Sequence, residues 1–252
     1  MLHYLRMLIS ILSFAMILPT SAYSDGLLRQ LPSEGSWATY RMSEKWDDGT
    51  KREIDVTIKS LGSEAAEGQP CSWFEIVMQL PDKSMRKAYR FLTPNEHVLS
   101  DPLGKALQVW VRQNEAAPFR DEAWDQFLPR LMLIAPARFE NETKHDETKA
   151  VTYAGNRLEC QVVSGTSTKQ VTGSKTIAKY RVLLSDDMPF GVAAVTIDAT
   201  VVTNCDPDPQ AECNFTKGTV EFVATSTGQN AKSVVLVADA TSGAPSDAPA
   251  DR

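Results

Sequence analysis

The chain has 252 residues and a formal net charge of −6, with 42% hydrophobic and 23% charged residues, 13 Gly and 14 Pro. These values are ordinary for a globular chain and exclude collagen-like, coiled-coil and wholly disordered classes. The acidic balance excludes a strongly basic nucleic-acid binder, which needs clustered Lys and Arg against phosphate, so no nucleic-acid partner is expected.

Residues 1–24 read as a cleaved secretory signal. Arg6 is the only Lys, Arg, Asp or Glu among them. The apolar run at residues 7–18 is too short for a bilayer core about 30 Å thick. Pro19 ends it, and Thr20 with Ala22, or Ala22 with Ser24, fits a signal-peptidase site. The rest is expected to be exported: periplasmic in a diderm bacterium, otherwise secreted. Residues 25–237 are expected to form one β-rich domain. The Ala-, Pro-, Ser- and Asp-rich residues 238–252 are expected to be a disordered tail.

Four cysteines, Cys71, Cys160, Cys205 and Cys213, follow the leader. An even number in an exported chain predicts disulfides. Cys205 and Cys213 bracket the stiff, polar run CDPDPQAEC. Pairing them would pin a turn and leave Cys71–Cys160 as a long-range link. No C-x-x-C occurs, and His97 and His145 lie far from the cysteines in sequence, so no metal is expected.

In chain order, residues 36–45 form a first strand and the Asp48-Gly49 pair a hairpin turn. Residues 51–60 alternate, with Ile54, Val56 and Ile58 on one face. Residues 62–70 are expected to be a loop. Residues 71–80 place Phe74, Ile76 and Met78 on one face and Trp73 and Val77 on the other, as a strand covered on both sides would. Residues 85–92 complete a meander. The period then changes. A short helix is predicted after Pro94 and a longer one over residues 103–111, where Leu103, Leu107, Trp110 and Val111 make an apolar stripe. Another is predicted from Asp121, with Trp124, Phe127, Leu128 and Leu131 at the same spacing. Strands return at residues 151–153, 157–164, 175–184, 193–204 and 214–227. The expected class is α+β and mainly β: a strongly curved antiparallel sheet, an unclosed half-barrel, with two or three helices covering one face.

Chemical motifs are sparse. There is no G-x-S-x-G, P-loop or G-x-G-x-x-G, and no cofactor is expected. Asp206, Asp208 and Glu212 fall short of a calcium-loop spacing. His97 and His145 read as solvated surface residues. Glu75 stands out as an acid inside an apolar strand, either lining a cavity or buried, or facing solvent beside a Lys or Arg of a neighbouring strand. An enzymatic role would rest on Glu75, Asp55 or His97 gathered in one cleft.

Residues 180–185 (YRVLLS) followed by Met188-Pro189-Phe190-Gly191-Val192 make a strand, a P-x-G turn and a strand. This resembles the bacterial lipoprotein-carrier (LolA-like) superfamily, over about residues 27–235. The resemblance implies an unclosed half-barrel lidded by helices, with a concave apolar face for acyl chains. It implies that Trp37, Ile54, Val56, Ile58, Phe74, Ile76 and Met78 line the concavity, with Leu107, Trp110, Trp124, Phe127 and Leu131 on the lid. The expected function is an exported, non-enzymatic protein binding a lipid, a lipoprotein acyl chain or another apolar ligand. The alternative is an envelope structural or interaction protein with a closed core and a peripheral envelope partner.

Overall fold

Alternating apolar and polar residues build long strands when each can bury one face. The computed structural model describes residues 28–121, 140–153, 155–171, 174–203 and 214–235. The strands are β1 (Trp37–Trp46), β2 (Lys51–Ala66), β3 (Gln69–Gln79), β4 (Arg86–Pro94), β5 (Gln108–Gln113), β6 (Phe119–Arg120), β7 (Glu140–Tyr153), β8 (Asn156–Val171), β9 (Ser174–Leu184), β10 (Val192–Thr203) and β11 (Asn214–Gly228). They form one antiparallel sheet in the order β6-β5-β4-β3-β2-β1-β11-β10-β9-β8-β7. Two meanders therefore run from the two edges inward and join where β1 pairs with β11.

This corrects the expected α+β class. Among the described residues there is no α-helix, only a 3₁₀ turn at Asn95–His97, so no helix among them covers a face. The predicted helix over residues 103–111 is a bend followed by β5. Asp101 does start a turn, with its Oδ1 accepting from the Gly104 N–H at 2.9 Å and its carbonyl from the Lys105 N–H at 3.1 Å. Gly104 is a poor residue to continue a helix, and the Val109-Trp110-Val111 run favours a strand. The open edge of β4 then supplies the hydrogen bonds. The helix predicted from Asp121, with Trp124, Phe127, Leu128 and Leu131, lies outside the described residues, as do the leader, the tail, Cys205 and Cys213.

The loop expected at residues 62–70 is also corrected. β2 and β3 continue into a hairpin whose turn residues, Glu67 and Gly68, have φ of 51° and 76°, as a two-residue primed turn requires. Small and acidic residues hid this strand end because both its faces are largely exposed.

The sheet curls strongly. β7 and β11 are four positions apart, about 19 Å in a flat sheet. Yet the Tyr153 hydroxyl of β7 donates to Thr227 Oγ1 of β11 at 2.9 Å. The inner face of the curl carries one continuous apolar cluster drawing on β1–β5 and β8–β11. Two connections seal it. Val98 and Leu103 enter between β4 and β5, and Met188 and Phe190 enter from the P-x-G turn between β9 and β10. Gly191 takes φ 76° there, and the Arg29 N–H donates to the Phe190 carbonyl at 2.8 Å. The guanidinium of the same Arg29 forms a largely buried 2.8 Å ion pair with Glu142 of β7.

Burial also sets the titration of the inner tyrosines. It pushes the Tyr180 phenol up to about 12 and raises Tyr40 further, whose hydroxyl donates to the Val192 carbonyl at 3.0 Å. The unfolded chain releases these protons first, near the ordinary tyrosine value of 10.0. Above that pH the unfolded state binds fewer protons, so stability falls as pH rises. Unfolding free energy is expected to be insensitive to tyrosine ionisation below pH 10 and to drop across pH 10 to 12. Denaturant titrations at stepped pH, read beside tyrosinate absorbance, check this. Tyr180→Phe should flatten part of the slope.

Candidate functional site

The sheet puts two different surfaces back to back. On the inner face Ile54, Val56 and Ile58 of β2 lie beside Phe74, Ile76 and Met78 of β3. Val56 pairs with Met78 and Ile58 with Ile76. The apolar rows continue on both sides. Ala38 pairs with Ile58, Ile76 with Tyr89, and Tyr89 with Val111. Phe74 stacks on Phe91 with ring centroids 5.8 Å apart. These six residues, all named from the sequence, are thus brought together on one wall. Five of them are buried and Met78 packs against the same cluster.

Three other named residues lie on the opposite face. Trp37 and Trp110 point outward because period-two alternation assigns them the parity of Thr39 and Arg112, not that of Tyr40 and Val111; Leu107, just before β5, is on that face by its packing. Trp37 lies over Gly228, its partner across β1–β11. Leu107 and Trp110 pack on a separate cluster of Cys71, Trp73 and Leu92. Trp124, Phe127 and Leu131 lie outside the described residues.

The expected Cys71–Cys160 disulfide is corrected: both thiols are free and buried. Cys71 is on the outer face with Trp73, whereas Cys160 is on the inner face. The sheet separates them, and a disulfide needs Cβ atoms about 4 Å apart. Burial, with Glu159 and Asp187 nearby, pushes the Cys160 thiol up. Both thiols are therefore expected to resist alkylation in the folded protein and to react in denaturant, as mass spectrometry before and after unfolding would read.

The outer face of β1–β6 holds a row that sequence reasoning only touched. Directly paired residues run Trp37, Lys59, Glu75, Arg90, Trp110 and Arg120 across six strands. Glu75 is fully buried. Its Oε1 accepts from Lys59 Nζ at 2.6 Å. Its Oε2 accepts from Ser233 Oγ at 2.6 Å and from the N–H groups of Val234 and Val235 at 2.9 and 3.1 Å. Cations hold the same segment by its carbonyls. Lys59 donates to Lys232, Arg90 to Val235 and Arg112 to Val234, at 2.8, 3.2 and 2.7 Å. Val235 is buried against Val77 and Ala88. The chain after β11 is thus a strap clamped across β2–β5, and β3 is covered on both faces. Glu75 is thus a buried acid with a cation beside it, and the solvent-facing setting expected for it is corrected, because the strap covers this face. A sequence cannot show the strap, which lies 158 to 160 positions from Glu75.

The residues weighed for catalysis do not converge. Asp55 is held by Arg41, Glu75 by the strap, and His97 lies 3.4 Å from Glu96. His145 Nε2 is hydrogen-bonded with Ser164 Oγ at 2.8 Å.

No family model matches the sequence, and no curated protein matches it. Among solved structures the chain is similar to a Parabacteroides distasonis protein provisionally classed as a lipoprotein, at 11% identity, 81% of this chain, 99% of that one and a TM-score of 0.40. It is similar to a DUF1329 family protein from Desulfovibrio piger at 11% identity, 81% and 88% coverage and 0.33. It is also similar to a LolA superfamily protein from Nitrosomonas europaea at 10% identity, 81% and 90% coverage and 0.29. At such identities and scores the likeness assigns no ligand, partner or site residue.

Proposed function

We propose that the protein is an exported, non-enzymatic binding protein that holds a lipid or another apolar ligand against the inner face of its sheet. One observation carries the reading: an unclosed sheet lined with apolar side chains along its inner face. A concave apolar wall with few polar groups is the usual make-up of a small-molecule site. The signal-like residues 1–24 support export. In a diderm bacterium the protein would be periplasmic.

The test is native mass spectrometry of the processed protein purified without detergent, followed by organic extraction. Excess mass that extracts as lipid supports the reading. Substitutions at Ile58 and Ile76 on the sheet, and at Trp124 and Phe127 in the connection between β6 and β7, should then reduce it. A mass equal to the bare chain overturns the reading.

A second reading has its own observation. The inner side chains are already tightly buried, and Val98, Leu103, Met188 and Phe190 fill the ends of the curl. A closed core of this kind fits an envelope interaction protein with no small ligand. A bare-chain mass with one stoichiometric co-purifying protein would favour it.

A further inference from the structure

The outer face of β9–β11 and β1 differs from the strap-covered half. Three paired rows lie side by side there. Lys45, Thr219, Asp198 and Lys179 form one; Lys217, Thr200 and Ile177 the next; Phe215, Val202 and Lys175 the third. Neighbouring strands are about 4.8 Å apart and same-face residues about 6.8 Å apart along a strand. Four ammonium groups and three apolar side chains therefore share one small patch. The first two rows, with Ala199 and Gly218, line an open groove of about 490 Å³. Phe215 is 62% exposed and Ile177 38%. Within the described residues none of the four lysines makes an ion pair. Asp198, inside the patch, accepts from Thr219 Oγ1 at 2.9 Å, and at its edge Asp47 Oδ2 accepts from the Lys217 N–H at 3.0 Å, so four lysines face two carboxylates. Glu221 begins the row beyond. The connecting residues 204–213, with Asp206, Asp208 and Glu212, lie outside the described residues.

We infer that this patch docks the protein on an anionic phospholipid surface, with Lys45, Lys175, Lys179 and Lys217 meeting headgroup phosphates and Phe215 and Ile177 entering the interface. A small free anion would use the lysines alone and leave the exposed aromatic unexplained. Cations interspersed with exposed apolar groups are what an interfacial contact needs. The local charge is opposite to the chain's net charge of −6, so attraction has to be focused at this face. The inference is independent of any ligand on the inner face.

Co-sedimentation of the full protein with phosphatidylglycerol–phosphatidylcholine vesicles, against pure phosphatidylcholine, tests it. Binding is expected to the anionic vesicles only and to weaken in high salt. Each lysine neutralised should cost about fivefold in partitioning, so Lys179→Ala with Lys217→Ala should cost about thirtyfold. Phe215→Ser should weaken binding at unchanged net charge. These side chains are exposed, and an unchanged circular dichroism spectrum would confirm folding. No binding to anionic vesicles overturns the inference. So does binding that the double variant retains, which would put the contact on another face.

Discussion

Glu75→Ala is expected to destabilise the fold by about 3–5 kcal/mol and to release the strap, because removing one partner of a buried ion pair leaves the other charge uncompensated. The carboxylate is fully buried, and Lys59 is only 12% exposed at its side chain. Deletion would also strip the Val234 and Val235 N–H groups of their acceptor, and buried unsatisfied donors each cost about 1–3 kcal/mol. These terms overlap and do not add. Glu75→Gln keeps an acceptor oxygen and most of the shape but loses the charge, so an intermediate loss is expected. Urea unfolding gives the magnitude. Amide exchange at Val234 and Val235 gives the mechanism: protection there should vanish in the alanine variant while the β9–β10 amides stay protected. Unchanged protection at both amides would show that Glu75 does not hold the strap.

Phe74→Ala and Phe91→Ala are each expected to cost about 3–5 kcal/mol, the range for emptying a large buried aromatic site. Their side chains are almost wholly buried, and both rings lie on the inner wall. The pair is stacked at 5.8 Å, so the double variant should cost less than the sum by about 0.5–1.5 kcal/mol. A double-mutant cycle in urea measures this coupling. The same variants bear on the inner face as a binding wall. If it holds a ligand, the truncations should alter the mass of extractable lipid; if the core is closed, they should change stability alone.

Much of the sheet was legible because strand period two is a local signal. Ile54, Val56 and Ile58 alternate with polar residues, and each of the five strands expected after residue 150 lies within or overlaps an observed one. Asp48-Gly49 marked its hairpin, and Gly49 does take φ 87°. The misses also have local causes. The stripe Leu103, Leu107, Trp110 and Val111 fits a helix by spacing, but from Val109 onward the chain alternates as a strand, with Val109 and Val111 buried. Only the open edge of β4 decided between the two patterns. The resemblance groups Trp37 with the inner wall, whereas one position of parity puts it outside.

The candidate surfaces divide in the same way. The sequence by itself determined that β2 and β3 would each have an apolar face, since alternation needs no knowledge of a neighbour. It determined that four cysteines follow an export-like leader, but not that Cys71 and Cys160 would fall on opposite faces. Register decided that, along with the row from Trp37 to Arg120 and the lysine patch, because paired residues lie far apart in the chain, as Trp37 and Gly228 do. The strap was decided by tertiary structure alone. Lys232 to Val235 carries no pattern of its own, and its place depends on a buried carboxylate that can be satisfied only after β2–β5 have assembled. Contacts between residues near in sequence leave a readable period; contacts made across the curl do not, since nothing local constrains which distant backbone groups will meet Glu75.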